Sequence, residues 1–380
     1  MDIPAPIQTY RPCTDKQPFL MFNPRILLGD SLPFALYTLF AHAYLRNDYA
    51  FEEEMYAQYL AAFPGERHEH SPKIFKRLIN SIRDNGFDFS NPVTAYPQEF
   101  FSSNGVHRMA ASIALGIEYV PYVQVMVNDR PSASVVEQIF NPTQLRWLRA
   151  SQAQLVRSLN KEISLLCRMR QFILSEPGSF KDAPFSSAMR IPGAIRPYQG
   201  FSPIGLTGKR DALFRFNAYN LAPYLKKDSV VLETGCNCGF LSWLMARKAQ
   251  SVDAFDIDPN YVQLGSMLKD AYETENLSYS VSTFEDFRPQ RMYDLIVSCA
   301  VYGWTSLPFS AFVARLSRWL KPGGVLLFES HELPAHPEWA EQRAHLLQFY
   351  DLLEANYIDD VDHTQYQSEF REFLMLRKKS

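Results

Sequence analysis

The residues best placed to do chemistry lie in the second half of the chain. Glu233-Thr234-Gly235-Cys236-Asn237-Cys238-Gly239 sets a carboxylate and two glycines between an apolar run, Val230-Val231-Leu232, and a helix-forming one, Phe240-Leu241-Ser242-Trp243-Leu244-Met245-Ala246. Glycine has no Cβ, so Gly235 and Gly239 allow positive φ and a close backbone approach to a nucleotide-like ligand. About twenty residues on, Val252-Asp253-Ala254-Phe255-Asp256 ends in an acid that can accept both hydroxyls of a ribose, as in nucleotide-binding α/β folds. The competing role for Asp256 is a helix N-cap ahead of Pro259, for which Asp258 is better placed. The turn does not fit Gly-x-Gly-x-x-Gly, which disfavours a dinucleotide pyrophosphate site.

These residues need a scaffold, and the pattern from Asp211 onward supplies one. Short apolar runs at Ser229–Glu233, Ser251–Asp256, Tyr279–Ser282, Tyr293–Cys299 and Gly324–Ser330 alternate with helical runs. Strands separated by helices imply right-handed crossovers and a parallel, Rossmann-like, doubly wound α/β sheet.

The turn fits the Glu/Asp-x-Gly-x-x-x-Gly start of class I S-adenosylmethionine-dependent methyltransferases, and residues 205–380 resemble that family. Phe284-Glu285-Asp286-Phe287, Tyr293-Asp294-Leu295-Ile296-Val297-Ser298 and Leu320-Lys321-Pro322-Gly323-Gly324-Val325-Leu326-Leu327-Phe328-Glu329 match its later landmarks. Tyr357–Asp362 and Phe370–Arg377 resemble its closing antiparallel hairpin. The resemblance implies S-adenosyl-L-methionine as cofactor. It places Glu233, Gly235, Asn237 and Gly239 in the cofactor turn, the first two lining the methionine end. It puts Asp256 on the ribose, Ile257 against the adenine, and Glu285 or Asp286 facing the adenine amino group. Thr283 stands where many relatives carry an acidic adenine contact, a departure from the pattern.

Methyl transfer from a sulfonium is an in-line displacement, which needs an oriented acceptor, exclusion of water and often removal of a proton. Ligands of open α/β sheets bind beyond the carboxyl ends of the strands. There the sequence offers Cys299-Ala300-Val301-Tyr302-Gly303-Trp304 and Glu329-Ser330-His331-Glu332. His331 is the expected general base, since imidazole titrates near neutral pH; the alternative is a loop-bonding histidine. Glu329 is expected to orient His331 or to bond the acceptor. Tyr302 and Trp304 either stack on an acceptor or join the core. Ser298-Cys299-Ala300-Val301 stands where amino-directed DNA methyltransferases carry an Asn/Asp-Pro-Pro-aromatic turn, which argues against base amino methylation. Cys299 lacks the Pro-Cys context of a cytosine C5 nucleophile. Cys236 and Cys238 lack a second Cys/His pair at zinc spacing, so no metal is expected.

The first part of the chain carries its own motif. In Asn104-Gly105-Val106-His107-Arg108, two cations open a short helix that closes at Gly116 and leads to a strand, Tyr119–Val125. Cations at a helix start are electrostatically awkward unless an anion compensates them. Residues 70–127 resemble the ParB/sulfiredoxin-like fold, in which Gly-x-His-Arg opens a phosphate-binding helix. That resemblance implies His107 and Arg108 as phosphate-binding candidates, or else a decayed structural copy. Val106 replaces the sulfiredoxin cysteine, so sulfinic-acid repair is not expected. His68-Glu69-His70 reads as a solvated loop.

Residues 141–176 read as one long helical segment, with Leu145, Leu148, Leu155, Leu159, Leu166 and Met169 at three- or four-residue steps. Arg146, Arg149, Arg157, Lys161, Arg168 and Arg170 line its other faces. A connecting helix is expected, with a homodimer seam through 145–173 or a polyanion arm as alternatives. The expected organisation is a smaller α+β ParB-like domain over 1–140, a helical linker over 141–185 and a methyltransferase domain over 186–380.

Composition bounds the function classes. The 380 residues carry 47% hydrophobic and 21% charged residues and a formal net charge of −3. That describes an ordinary globular chain without the basic bias of a nucleic-acid binder. Five cysteines do not make a disulfide framework, and a cytoplasmic address without a membrane span is expected. The leading expectation is O-methylation of a small or glycan-like, perhaps phosphorylated, acceptor. The alternatives are a bifunctional kinase–methyltransferase of surface glycans and a methyltransferase acting on tRNA or other nucleic acid.

Overall fold

The computed structural model describes residues 10–11, 20–29, 31–62, 71–88, 91–96, 101–124, 134–180, 197–206, 208–331, 333, 336–358 and 370–379. They fall into two compact units, within Pro6–Ser175 and Glu176–Ser380.

In the C-terminal unit the strands are β1 (Val230–Thr234), β2 (Ser251–Asp256), β3 (Leu277–Val281), β4 (Tyr293–Cys299), β5 (Leu320–Glu329), β6 (Tyr350–Ile358) and β7 (Arg371–Lys378). They form one sheet in the order β3-β2-β1-β4-β5-β7-β6. Among the described strands, β7 pairs antiparallel with β5 and β6, and the other pairings in this sheet are parallel. The helices are α1 (Ala212–Ala218), α2 (Phe240–Ala246), α3 (Pro259–Ala271), α4 (Phe309–Trp319) and α5 (Trp339–Phe349). Buried Leu295, Ile296 and Val297 make β4 apolar on both faces, as a central parallel strand must be. On α4, Phe312, Val313, Leu316 and Trp319 recur at helical spacing and join Ile296, Leu326, Phe328 and Leu374 in one core cluster. Burial of that face, more than helix propensity, holds α4 on the sheet.

The expected strands all form, with shifts at their ends. Pairing of β5 starts at Leu320 opposite Tyr293 and resumes at Val325 opposite Leu295, so Lys321–Gly324 is an irregular start to the strand, with Gly323 at φ 71. Lys321 Nζ bonds both carboxylate oxygens of Asp294 at 2.9 Å and ties that start to β4. In the closing hairpin, the strand before β7 is Tyr350–Ile358, earlier than the expected Tyr357–Asp362, of which 359–362 lie outside the described residues.

The N-terminal unit holds a five-stranded mixed sheet in the order Tyr10–Arg11, Leu20–Phe22, Val120–Gln124, Val93–Tyr96, Phe101–Asn104. The segment read as one long helix is two, Pro142–Arg157 and Lys161–Ser175. The break has a local cause: Asn160 Oδ1 accepts the Ile163 N–H at 2.9 Å and caps the second helix. Both helices pack inside this unit. Gln152 Nε2 donates to the Leu28 carbonyl at 2.7 Å, and Cys167 lies against the carbonyls of Arg25 and Ile26. Leu148, Leu166 and Met169, expected along a dimer seam, are buried within the unit.

The His107-Arg108 pair also serves the unit's interior. The His107 ring stacks on Tyr37 with centroids 4.6 Å apart, meets Phe75 edge-on, and its Nε2 lies 2.7 Å from the Tyr56 hydroxyl. Arg108 donates to the carbonyls of Asn91 and Pro92, pinning the strand that starts at Val93. The His107 ring is thus held by a phenol and two aromatic rings, and the Arg108 guanidinium by carbonyl oxygens. His68-Glu69-His70 lies outside the described residues, and among those described no helix is long and apolar enough to cross a membrane.

Replacing His107 with alanine removes both the stack and the bond to Tyr56, and is expected to lower stability by about 1–3 kcal/mol. Urea denaturation checks this; an unchanged midpoint contradicts the packing role.

Candidate functional site

Thr234 ends β1, and Gly235, Asn237 and Gly239 all take positive φ (59°, 51° and 68°) before α2 begins. A Cβ on Gly235 would stand 2.8 Å from the Val301 side chain, in the loop after β4. At Gly239 it would meet the Tyr279 ring at 2.4 Å, and the Tyr279 hydroxyl donates to the Gly239 carbonyl at 2.6 Å. The second glycine therefore admits a tyrosine of β3 beneath the turn. Cys236 and Cys238 are fully buried, and burial pushes both thiols up. They fill the turn as small apolar residues.

Asp256, at the end of β2, reaches across to that turn. One carboxylate oxygen accepts the Asn237 N–H at 2.7 Å and the other the Asp258 N–H at 3.0 Å. Burial raises its pKa, and these backbone bonds oppose the rise. Asp258 caps α3 by accepting the Asn260 N–H at 2.8 Å. Asp256 is thereby released from the capping role. Asn237 Oδ1 is buried and has no hydrogen-bond partner among the described residues. Beside Asp256, Ile257 is 66% exposed.

Glu233 is 2% exposed and accepts a hydrogen bond from the Ser242 hydroxyl. Burial pushes its pKa up to about 8, despite the pull of Ser242 and of the Arg215 guanidinium. Its charge is therefore sensitive to what binds nearby.

Glu285 and Asp286 organise the loops around the cleft. Glu285 accepts the Ser306 N–H at 2.7 Å and the Ser306 hydroxyl at 3.0 Å, which holds its carboxyl below the usual range. Thr283 donates its hydroxyl to Asp286 at 2.8 Å and accepts the Asp286 N–H at 3.0 Å. The threonine that departed from the family pattern is thus a local turn cap.

At the ends of β4 and β5 the structure departs from the expected acid–base pair. His331 Nε2 accepts the Gly303 N–H at 2.9 Å, so that lone pair is used and the proton sits on Nδ1. A Cβ at Gly303 would lie 2.6 Å from Nε2, which is why the loop can come so close. Glu329 does not orient His331. It accepts from Arg215 and Tyr219 of the α1 region, and its other oxygen from Arg371 Nη1 at 3.0 Å. Burial drives the Glu329 pKa up, but Arg215, Arg371 and Arg210 outweigh it and hold the carboxyl down to about 2. Tyr302 packs edge-on against Phe309 and Phe312, whereas Trp304 is 85% exposed. Glu332 lies outside the described residues.

Sequence reasoning missed Arg210, Arg215, Tyr219 and Arg371. Only the i, i+4 pair Arg215–Tyr219 left a local trace; Glu329 lies 114 residues from Arg215, and no spacing rule links them.

Residues 209–371 match the family described as a methyltransferase domain. The C-terminal unit carries a class I methyltransferase domain. Such a domain takes its methyl group from S-adenosylmethionine. The chain is 31% identical over 100 residues to malonyl-[acyl-carrier protein] O-methyltransferase 2 of Ilyobacter polytropus, covering 26% of this chain and 38% of that protein. It is 28% identical over 109 residues to malonyl-[acyl-carrier protein] O-methyltransferase of Priestia megaterium, covering 28% of this chain and 38% of that protein. The match thus spans under two fifths of these curated relatives. Among solved structures, the N-methyltransferase NodS of Bradyrhizobium japonicum in complex with S-adenosyl-L-homocysteine aligns at 17% identity and TM-score 0.38, over 44% of this chain and 87% of that one.

Replacing Glu329 with glutamine leaves buried guanidinium charge uncompensated and is expected to cost about 3–5 kcal/mol. In the wild type, the contribution of this depressed carboxyl is present above the ordinary carboxylate range and is lost as pH falls towards 2. Denaturant melts of both proteins from neutral to acid pH check this; equal neutral stabilities contradict it.

Proposed function

We propose that this protein transfers a methyl group from S-adenosylmethionine to an oxygen of a small or carrier-bound acceptor. The observation that carries the reading is Asp256, a buried carboxylate bonded across to the glycine turn at the carboxyl ends of β1 and β2. The residues fit the cofactor: Asp256 would hold the ribose hydroxyls, with Asn237 Oδ1 as a further buried acceptor beside it. Ile257 offers the exposed apolar surface for the adenine, with Glu285 or Asp286 at its amino group. Gly235 and Gly239 shape the turn, and Glu233 would lie at the methionine end, where its carboxylate form suits an ammonium. When bound, the cofactor supplies an electrophilic methyl on sulfonium sulfur.

The acceptor approaches over β4 and β5, beyond Trp304. The named activity of the similar proteins supports a second choice of acceptor, a carrier-bound acid, whose carboxylate would be ionised at neutral pH and would need no base. The ParB/sulfiredoxin-like resemblance of residues 70–127 is read here as a structural copy: His107 and Arg108 serve packing, which weighs against a kinase step there. A cytoplasmic location agrees with the cysteine usage.

Calorimetric titration with S-adenosylhomocysteine tests the cofactor reading, and Asp256→Ala is expected to weaken binding by about 1.5–3 kcal/mol, roughly ten- to a hundredfold. Wild-type affinity retained in that variant contradicts it. Because Glu233 titrates near pH 8 in the free protein and its carboxylate form favours a cationic ligand, affinity should tighten as pH rises and level off above about 8. Glu233→Gln should flatten that profile; a flat wild-type profile contradicts the assignment.

A further inference from the structure

The loop after β4 runs past the glycine turn and is pinned on both flanks. Ala300 takes φ 52°, a left-handed conformation unfavourable for a residue with a Cβ, and its N–H donates to the Glu329 carbonyl at 3.1 Å. That kink lays Val301 against Gly235, where an added Cβ would meet its side chain at 2.8 Å. Further on, Gly303 donates its N–H to His331 Nε2 at 2.9 Å, and Ser306 gives its N–H and hydroxyl to Glu285. We propose that His331 is a positioning residue of the transfer: its neutral ring latches this loop against the glycine turn, and a proton on Nε2 opens the latch. The inference rests on the reading that places S-adenosylmethionine at that turn.

A backbone N–H only donates, so the bond to Gly303 exists only while Nε2 carries no proton. Imidazolium has two donors and no acceptor, and protonation would set two N–H groups against each other at the same 2.9 Å. The contact leaves no slack, since a Cβ on Gly303 would stand 2.6 Å from Nε2. It is also open to solvent, which gives the ring ready access to protons. The other anchor behaves differently. Bonds from Ser306 hold the Glu285 carboxyl below its usual range, so it stays charged where imidazoles ordinarily titrate, near pH ~6.5. One flank of the loop is therefore fixed, and the other responds to pH.

Among the described residues, the titratable groups beside the ring are His336, with centroids 4.8 Å apart, and Glu338 at the N-cap of α5. Glu338 Oε1 lies 3.0 Å from His336 Nδ1. Glu372 of β7, whose carbonyl accepts the Ser330 N–H, turns its carboxylate to Trp339 and Arg343. The loop itself brings the Cys299 thiol and the Tyr302 phenol, groups that do not ordinarily ionise below neutral pH. Glu338 attracts protons to the histidine pair, and two charged rings repel each other. These groups set where in the acid range the step falls, not its direction.

Three proteins separate a latch from ordinary packing. They are the wild type, His331→Gln, whose amide oxygen accepts the same N–H but takes no proton, and His331→Ala, which has no acceptor. Amide hydrogen exchange over residues 299–306, corrected for the intrinsic effect of pH, reads the loop directly. Between about pH 7.5 and 5.5 the wild type should lose protection at least ~threefold, the glutamine variant should keep it, and the alanine variant should lack it at both. Calorimetric titration with S-adenosylhomocysteine should follow: the ratio of wild-type to glutamine-variant Kd rises about three- to tenfold over that interval, the worth of one hydrogen bond. Glu233 is common to all three proteins and cancels in the ratio. Flat wild-type protection, the same acid step in the glutamine variant, or an alanine variant as protected as the wild type would each overturn the latch. An exchange step as described, with no binding of the homocysteine product by any of the three, would instead overturn the cofactor reading.

Discussion

The site is governed by one electrostatic constraint: three carboxylates, Glu233, Asp256 and Glu329, are buried towards the carboxyl ends of three parallel strands, β1, β2 and β5. Buried acids cannot stay charged without compensation, and each of these is treated differently. Glu329 receives arginines and stays ionised. Asp256 receives two backbone N–H groups and is nudged upward. Glu233 receives little beyond a serine hydroxyl and is left near neutrality of charge at physiological pH. The three positions are thus graded from a fixed anion at the end of β5 to a titratable one at the glycine turn.

That gradation explains the roles the loops have taken. Gly303 approaches closely enough to spend the Nε2 lone pair of His331, and Ser306 binds one carboxylate oxygen of Glu285. Residues two and five after Val301 therefore pin the loop after β4 at both flanks, leaving Trp304 projecting between them.

Much of this fold was legible in the sequence. Buried parallel strands are continuous apolar runs, and β2 and β4 were read to the residue because Asp256 and Cys299 end them abruptly. The glycine turn and Asp256 were legible for the same reason: their spacing is local. The arginine cluster was not, because Arg215, Glu329 and Arg371 meet only through tertiary packing. The long helix failed at Ser158–Asn160, where a capping asparagine overrode a continuous apolar stripe. At His107-Arg108 the sequence signals a helix start that carries two basic side chains, and their partners, Tyr56 and the carbonyls of Asn91 and Pro92, come from other elements that no local spacing announces.

The most direct test of the cofactor site is a crystal structure of the protein with S-adenosylhomocysteine. The account predicts the ribose hydroxyls on the Asp256 carboxylate, the adenine against Ile257 and the amino-acid end near Glu233. A ligand seated elsewhere, or a cleft at the ends of β1 and β2 closed by side chains, would contradict it.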